Sequence, residues 1–381
     1  MKILYVLKSF PASSGVDTVT RVLGNEFVKL GHNVFVCCFL YSKKSVFIDF
    51  GIKIYEFPEQ WEFADSKNNK NFLSQIIREN SIDIIINQEA VVSPVCSLCY
   101  EAKKDTKAKL ISCMHFSLFM EMESKGRIIS RFLPKKIVRF RRTRVQLKQR
   151  NFAYDNSDAL AMLSDRDIEL YKKMQPNKNL SKLQSIGNPI DYKSQNVDFS
   201  KKLKNLLVVS RIEEEQKRIF LIIEIWRRIS ENYKDWNLII VGDGPDLEKC
   251  KKQAENLPRI DFKGWQEPWN YYLDSPIFLM TSSYEGFGIT LVEAQSFGCV
   301  PVAMDSYLAL HDIIKSGKNG FIVPDNDKGA FIEKVCLLMD NIELREKMAR
   351  NAMNDCKKFD VCEIAKKWED LFIELISGNI L

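Results

Sequence analysis

The chain has 381 residues, of which 45% are hydrophobic and 28% charged, and its formal net charge at pH 7 is +6. This length exceeds what one hydrophobic core usually supports, and the composition is that of a soluble globular protein, so we expect two domains. Apolar runs stay far below the roughly 20 residues that span a bilayer, and the N-terminal MKILYVL is too short for a secretory signal. The sequence therefore predicts a cytoplasmic protein.

The first half of the chain alternates between apolar runs and segments of helical periodicity. The runs are Ile3 to Leu7, Val34 to Leu40, Ile82 to Ile86, Leu110 to Met114 and Ala159 to Leu163, and the helical segments include Thr18 to Leu30 and Leu73 to Glu79. With right-handed crossovers, such runs form a mainly parallel sheet covered by helices. This pattern predicts a Rossmann-like α/β domain over residues 1–188.

A second array follows a polar stretch, Asn188 to Leu203, which contains Pro189 and lacks periodicity, as a linker does. Strands are predicted at Leu206 to Val209, Leu238 to Val241, Ile277 to Met280, Val300 to Ala303 and Phe321 to Val323. The tail from Asp327 to Leu381 has helical periodicity and almost no strand signal. We predict a second Rossmann-like domain over 189–360, and a C-terminal helix over 361–381 that packs back on the first domain.

The stretch SSYEGFGITLVEAQSFGCVPV, Ser282 to Val302, predicts a loop and a helix between two strands of this second array. Ligands of parallel sheets gather at such a loop, beyond the carboxyl end of the first strand. Here the backbone N–H groups of Gly288, Ile289 and Thr290 would point out of the positive end of the helix and favour an anion.

Two glutamates stand beside this predicted anion site. Glu285 suits a ligand with hydroxyl groups better than a bare phosphate, because its carboxylate can accept hydrogen bonds from hydroxyls, and Glu293 could serve a second polyol. The alternative is that Glu285 is only a charge at a helix start and Glu293 a solvated side chain.

Three blocks in this order resemble the retaining glycosyltransferases with the GT-B fold, often called family 4. They are VVSRIEEEQKR (Val208 to Arg218), WNLIIVGDGPDLE (Trp236 to Glu248) and YEGFGITLVEAQSFGCVPVA (Tyr284 to Ala303). The resemblance implies two Rossmann-like domains with parallel sheets facing across a cleft. It also implies transfer of a hexose or N-acetylhexosamine from a nucleotide-diphosphate sugar, for which we expect UDP, to a glycan with retained configuration.

The same resemblance assigns roles to individual residues of the second domain. Glu285 and Glu293 match the two acids of the family's E-x7-E motif, the first near the donor sugar and the second on the ribose hydroxyls. Arg211 and Lys217 match the residues that bind the donor diphosphate, whose negative charge grows as the glycosidic bond breaks. The alternative for Lys217 is a solvated charge run. Ser210 and Arg218 stand where the family commonly has glycine.

In the first domain, Ser9 to Asp17 (SFPASSGVD) resembles the family's glycine-rich loop in the cleft, with Gly15 at its second glycine. The alternative is an ordinary loop in which Asp17 or Thr18 caps the next helix. His115, directly after an apolar run, matches the family's histidine near the reacting sugar, although a lone histidine at a strand end is more often structural.

Candidate metal ligands have simpler interpretations. Asp165 and Asp167 form an Asp-x-Asp, but Ser164 precedes them at the spacing of a capping box. Asp325-Asn326-Asp327 invites the same interpretation. Cys96 and Cys99 form a CxxC without further ligands at zinc spacing, and the other cysteines lie in apolar stretches that suit reduced core thiols. We predict no catalytic metal and no cofactor.

The segment from Lys125 to Arg150 holds eleven lysines and arginines, and no acid occurs from Ser124 to Tyr154. This one-sided charge favours an anionic partner, either the inner face of the cytoplasmic membrane or a polyprenyl pyrophosphate that carries the acceptor glycan. The residues proposed for this docking are Arg139, Arg141, Arg142 and Arg144. The alternatives are a charged surface helix and, without a recognised module to support it, nucleic acid.

Two other functions remain as alternatives. A nucleotide-sugar epimerase with the GT-B fold would have no use for the basic segment. A dinucleotide oxidoreductase is disfavoured because KSFPASSG (Lys8 to Gly15) is not GxGxxG and Gly242-Asp243-Gly244 lacks the expected spacing.

Overall fold

The computed structural model describes residues 1–11, 15–41, 51–115, 135–191 and 197–378, with side chains for all of them except 135–143. The chain divides into two compact units. The N-terminal unit comprises Met1–Pro189 and Val361–Leu381, and the C-terminal unit comprises Ile190–Asp360.

The N-terminal unit is built on a seven-stranded sheet in the order β3-β2-β1-β4-β5-β6-β7, with all neighbouring strands parallel. The strands are β1 (Lys2–Phe10), β2 (Asn33–Tyr41), β3 (Ile52–Glu56), β4 (Ile84–Asn87), β5 (Lys109–Cys113), β6 (Ala159–Met162) and β7 (Leu183–Ser185). Its helices are α1 (Gly15–Lys29), α2 (Lys67–Glu79), α3 (Ser93–Ala102), α4 (Lys135–Asp155) and α5 (Asp165–Met174).

The C-terminal unit is built on a six-stranded parallel sheet in the order β10-β9-β8-β11-β12-β13. The strands are β8 (Asn205–Val209), β9 (Asn237–Val241), β10 (Ile260–Gly264), β11 (Ile277–Met280), β12 (Val300–Asp305) and β13 (Phe321–Pro324). The helices are α6 (Glu214–Lys217), α7 (Ile219–Ile229), α8 (Leu247–Gln253), α9 (Trp269–Asp274), α10 (Ile289–Ser296), α11 (Leu310–Ile313), α12 (Lys328–Asp340) and α13 (Ile342–Asp355). The last helix, α14 (Val361–Ser377), belongs to the N-terminal unit and packs against α1.

The prediction of two parallel α/β arrays is confirmed, and every predicted apolar run contains a strand. Central strands are covered on both faces, so their residues are almost all buried, as in β4 and β11. The helical tail is also confirmed by α12, α13 and α14. Three strands were missed, namely β3, β7 and β10, and each lies at the edge of its sheet.

The cysteines behave as predicted, as free thiols that are buried except for Cys336 and Cys362. Cys96 and Cys99 lie inside α3 with both thiols in the core. Within the described part of the chain, none of the helices combines the length and the apolar character that crossing a membrane requires.

Candidate active site

Two loops at the carboxyl edge of the C-terminal sheet carry four of the predicted site residues, Arg211, Lys217, Glu285 and Gly288. The β8 loop, residues 210–218, follows β8, and the β11 loop, residues 281–288, follows the neighbouring strand β11. Because the two strands are parallel, both loops leave the sheet at the same edge, where ligands of such sheets bind.

The glycines of the GDG sequence after β9 allow close backbone packing against the β8 loop. A Cβ atom at Gly242, whose φ is +137°, would lie 1.8 Å from the carbonyl oxygen of Ser210, and one at Gly244 would lie 2.3 Å from that of Ile212. The Ile212 N–H donates to the Asp243 carbonyl oxygen at 2.8 Å. A side chain at either glycine would displace the loop, so these two residues fix its path.

The β8 and β11 loops are hydrogen-bonded directly to each other. The Ser283 N–H donates to the Gln216 carbonyl oxygen at 2.7 Å, and the Thr281 hydroxyl donates to the Lys217 carbonyl oxygen at 3.0 Å. The side-chain amide of Gln216 donates to the Tyr284 carbonyl oxygen at 3.3 Å. These bonds hold the backbone around Lys217 against the segment that carries Glu285.

Lys217 and Glu285 form an ion pair between the two loops. The Lys217 ammonium lies 2.5 Å from Glu285 Oε1, and the two side chains are 17% and 10% exposed. The Ser282 hydroxyl donates to the same carboxylate oxygen at 2.6 Å. The burial of the pair contradicts the alternative of a solvated charge run for Lys217. The alternative for Glu285, a charge at a helix start, stays open, because Glu285 stands shortly before α10. The pair offers a cation for phosphate beside an acceptor for hydroxyl groups.

Helix α10 begins directly after the β11 loop, as predicted. Gly288 caps it in the left-handed region with φ of +90°, and a Cβ atom there would lie 2.4 Å from the hydroxyl of buried Tyr307. The Leu291 N–H donates to the Gly288 carbonyl oxygen at 3.0 Å, whereas the N–H groups of Ile289 and Thr290 precede the first helical hydrogen bond and lie at the positive end of the helix. This terminus can hold an anion, and phosphate binding there stays a prediction.

Glu293 lies one turn into α10, where its carboxylate accepts a hydrogen bond from the Tyr272 hydroxyl at 2.9 Å. Burial raises the pKa of Glu293 to about 7; the negative charge of Glu267 adds to this shift and the Tyr272 bond opposes it. The interpretation of Glu293 as a solvated charge is therefore wrong. A partly desolvated carboxylate of this kind is common at functional sites. Tyr272 was not predicted, because the positions of Tyr272 and Glu293 in the sequence give no sign of their contact.

Arg211 stands apart from the Lys217–Glu285 pair. Its side chain is 67% exposed at the start of the β8 loop, and its guanidinium lies 3.4 Å from Glu213. Among the described residues, no hydrogen bond or ion pair joins it to Glu285. An exposed arginine at this edge is able to turn toward a ligand, and its role as a diphosphate ligand stays a prediction.

In the N-terminal unit, a chain of hydrogen bonds fixes the orientation of His115. Its Nε2 donates to the side-chain oxygen of Gln88, because the amide nitrogen of Gln88 donates to the Thr20 hydroxyl at 3.1 Å. Thr20 in turn donates to the Val16 carbonyl oxygen in α1 at 2.9 Å. Burial lowers the pKa of His115 to about 4, so the ring is neutral at physiological pH. Its buried Nδ1 has no hydrogen-bond partner within the described residues, and Gln88 and Thr20 were not predicted.

The alternative interpretation of the loop after β1 needs a correction. Gly15 is the exposed first residue of α1, so Asp17 lies within the first turn and neither Asp17 nor Thr18 caps the helix. Residue type does not by itself locate the helix start, because aspartate is favoured within the first turn as well as at the N-cap. The assignment of Gly15 to the family's cleft loop stays a prediction, since residues 12–14 lie outside the described structure.

The two Asp-x-Asp sequences are helix caps, as predicted. The Ser164 hydroxyl accepts from the Asp167 N–H at 3.0 Å and donates to the Asp167 carboxylate at 2.5 Å, at the start of α5. Asp327 caps α12 by accepting from the Ala330 N–H at 2.9 Å. In the described parts of the chain, no cluster of three or more His, Cys, Asp or Glu side chains is suited to hold a metal ion.

The basic segment is described only in part. The backbone of α4 covers residues 135–155, and the side chain of Arg144 is exposed. The side chains of Arg139, Arg141 and Arg142 lie outside the described residues. Docking of this segment on an anionic partner stays a prediction.

Comparisons with known proteins agree with this geometry. Residues 190–355 match the model of the family described as glycosyl transferases group 1. An uncharacterized glycosyltransferase of Haemophilus influenzae is 22% identical over 377 residues, which cover 97% of this chain and 99% of the relative. An α-1,4-N-acetyl-D-galactosaminyltransferase of Campylobacter jejuni, named for a diNAcBac-PP-undecaprenol-linked glycan, is 23% identical over 388 residues, with 98% and 99% covered.

Among solved structures, HepE of Anabaena in complex with UDP superposes with a TM-score of 0.77 at 16% identity, covering 98% of this chain and 100% of HepE. This likeness identifies the fold. The chain therefore has the GT-B fold, and its residues 190–355 match the family of glycosyl transferases group 1.

Proposed function

We propose that this chain transfers a hexose or N-acetylhexosamine from a UDP-sugar to a glycan acceptor, with retention of the anomeric configuration and without a metal ion. The observation that carries the proposal is the largely buried ion pair of Lys217 and Glu285, of which Glu285 stands shortly before the start of α10. It combines an ammonium, free helix N–H groups and a carboxylate, the groups that a sugar linked to a diphosphate requires.

Each group has a distinct task in this mechanism. Lys217, exposed Arg211 and the first turn of α10 stabilise the negative charge that grows on the leaving diphosphate. Glu285 accepts hydrogen bonds from the hydroxyls of the donor sugar, and Glu293 accepts those of the ribose. The anomeric configuration is retained if the acceptor hydroxyl attacks on the face of the sugar from which the phosphate leaves, and the leaving phosphate takes the proton of that hydroxyl. Neutral His115 is assigned to hydrogen bonding with the reacting sugar, because its pKa is too low for it to act as a cation.

UDP is supported by the solved complex of HepE with this nucleotide. A polyprenyl-pyrophosphate-linked acceptor is supported by the name of the Campylobacter jejuni relative, which gives a glycan on PP-undecaprenol. The basic segment from Lys125 to Arg150 supports a cytoplasmic enzyme that lies on the inner face of the membrane, since anionic lipids attract such segments.

Donor hydrolysis by the purified protein tests the reaction. A panel of UDP-, GDP- and ADP-sugars is incubated without acceptor, and release of the nucleotide diphosphate is measured with and without EDTA. We expect hydrolysis of one UDP-sugar at equal rates in both conditions. Loss of activity in EDTA that a divalent ion restores would refute metal independence, and absence of turnover with every donor would refute the proposed activity.

Liposome sedimentation tests the membrane assignment. Each cation near an acidic leaflet contributes on the order of 1 kcal/mol. The protein should therefore sediment with phosphatidylglycerol liposomes at low salt and be released at high salt. Replacement of Arg139, Arg141, Arg142 and Arg144 by Gln should abolish sedimentation and leave donor hydrolysis unchanged. Equal sedimentation of variant and parent would identify the segment as a solvated helix.

A further inference from the structure

Arg218, which follows Lys217 in the β8 loop, has a backbone conformation that glycine usually supplies. Its φ and ψ are 51° and 49°, in the left-handed region, and it lies at the junction of α6 and α7. A side chain is disfavoured there, and the family pattern commonly has glycine at this position. The conformation of Arg218 therefore costs free energy that contacts of its side chain can offset.

The guanidinium of Arg218 makes these contacts on two sides. Nε and Nη2 donate to the carbonyl oxygens of Thr281 and Ser282 at the end of β11, the second at 2.7 Å. Nη2 and Nη1 also donate to the side chains of Asp325 and Asn326, at 2.6 and 2.9 Å, in the turn after β13. The side chain is only 14% exposed, so its donors serve the protein rather than a ligand.

These contacts clamp the backbone on which the Lys217–Glu285 pair depends. The Thr281 hydroxyl donates back to the carbonyl oxygens of Lys217 and Arg218, at 3.0 and 3.2 Å. The backbone of residues 217–218 and the start of the β11 loop are thus bonded in both directions. Asp325 and Asn326 extend the clamp to a turn that contributes nothing else to the site described above.

We propose that Arg218 is a positioning residue of the donor site, which acts through Lys217 and is anchored by Asp325 and Asn326. It holds the Lys217 ammonium where a nucleotide diphosphate binds and does not itself contact that ligand. The proposal rests on the proposed function of the site as a nucleotide-diphosphate site.

Calorimetric titration with UDP, GDP and ADP tests this assignment, with the tightest of the three then used for all variants. Arg218→Gly retains the left-handed backbone and removes the clamp, so we expect its Kd for the nucleotide diphosphate to rise on the order of tenfold. In the Lys217→Ala background the same substitution should change Kd less than twofold, because the residue through which it acts is gone. Asp325→Ala, on an exposed turn where misfolding is not expected, should reproduce part of the loss.

Arg259 provides a matched control. Its backbone is also left-handed, with φ of 54°, and its guanidinium also donates to two carbonyl oxygens, those of Trp236 and Ser230. Arg259 differs in location, because it precedes β10 at the amino edge of the sheet, opposite the edge that carries the β8 and β11 loops. Arg259→Gly should lower Tm without changing Kd.

Three results would overturn the inference while leaving the proposed function standing. They are wild-type affinity in Arg218→Gly, an equal loss with and without Lys217, and an equal loss in Arg259→Gly. If the wild-type protein bound none of the three nucleotides, the proposed function would fail and this inference with it.

Discussion

Substitution of Lys217 by alanine should reduce activity and stability through two separable effects. The ammonium lies 2.5 Å from Glu285, and the two side chains are 17% and 10% exposed, so water screens the pair less than it screens a surface ion pair. Loss of a charge-assisted contact to the diphosphate costs about 1.5–3 kcal/mol, which corresponds to a fall in kcat/KM of about 10- to 150-fold. Separately, Glu285 keeps a largely buried charge without its partner, which should destabilise the unit by about 1–3 kcal/mol, the cost of a buried polar group left unsatisfied.

The double variant Lys217→Ala/Glu285→Gln separates the two effects. Removal of the uncompensated carboxylate should restore most of the lost Tm, about 2–10 °C for a unit of this size, but should not restore donor hydrolysis. Lys251→Ala serves as the control, because Lys251 pairs with Glu248 at 2.8 Å on a surface where the side chains are 47% and 83% exposed. That variant should match wild type in both assays. Wild-type kcat/KM in Lys217→Ala would refute the assignment of Lys217 to the diphosphate.

Glu293→Gln should raise the donor KM more than it lowers kcat. Folding raises the pKa of Glu293 from 4.5 to about 7, so the stability contributed by its protonated side chain is complete below pH 4.5 and is lost as the pH passes 7. Glu293→Gln should therefore have a higher Tm than wild type at pH 8 but not at pH 4. An NMR titration should give His115 a pKa near 4. Gln88→Glu should raise this pKa by at least about one unit, since a carboxylate favours the imidazolium; an unchanged pKa would refute the contact between residues 88 and 115. Gly288→Ala should destabilise the unit in urea by about 2 kcal/mol or more, and Tyr307→Phe should recover part of the loss, because the added Cβ meets the tyrosine hydroxyl.

The strands that sequence analysis missed share one physical property. β3, β7 and β10 each pair on one side only and lie at a sheet edge, where strands are only partly buried. All five residues of β10, IDFKG, are half-buried, so polar and apolar types are mixed and no apolar run forms. Apolar runs mark burial, so they reveal central strands and miss edge strands without such a run. The fourth edge strand, β13, was predicted because Phe321 and Val323 are buried and form part of an apolar run.

In the candidate site, the residues that lie in local sequence motifs were predicted, and those that meet only through tertiary packing were not. Glu285 and Glu293 were predicted from their spacing within one strand–loop–helix unit, β11 to α10, and Lys217 from a second local motif after β8; both motifs resemble those of the glycosyltransferases. Tyr272 and Gln88 were not, since each meets its partner through tertiary packing, across 21 residues to Glu293 and across 27 to His115. The sequence marks such residues only by type, and buried tyrosines and glutamines are usually structural.

The Lys217–Glu285 pair also indicates how the site limits the free energy lost on ligand binding. A free lysine side chain loses up to about 2 kcal/mol of conformational entropy when it is fixed. Here folding already orders both charged groups, before any ligand arrives. The Lys217 ammonium is held by Glu285, the Glu285 carboxylate also accepts from the Ser282 hydroxyl, and the contacts of Arg218 hold the backbone beside them. In the proposed function a donor would exchange partners with this pair: its phosphate oxygens would replace the carboxylate on Lys217, and its sugar hydroxyls would replace the ammonium on Glu285. Since neither charge is left alone in a partly desolvated place, a sugar without phosphate, or phosphate without a sugar, should bind far more weakly than the intact donor.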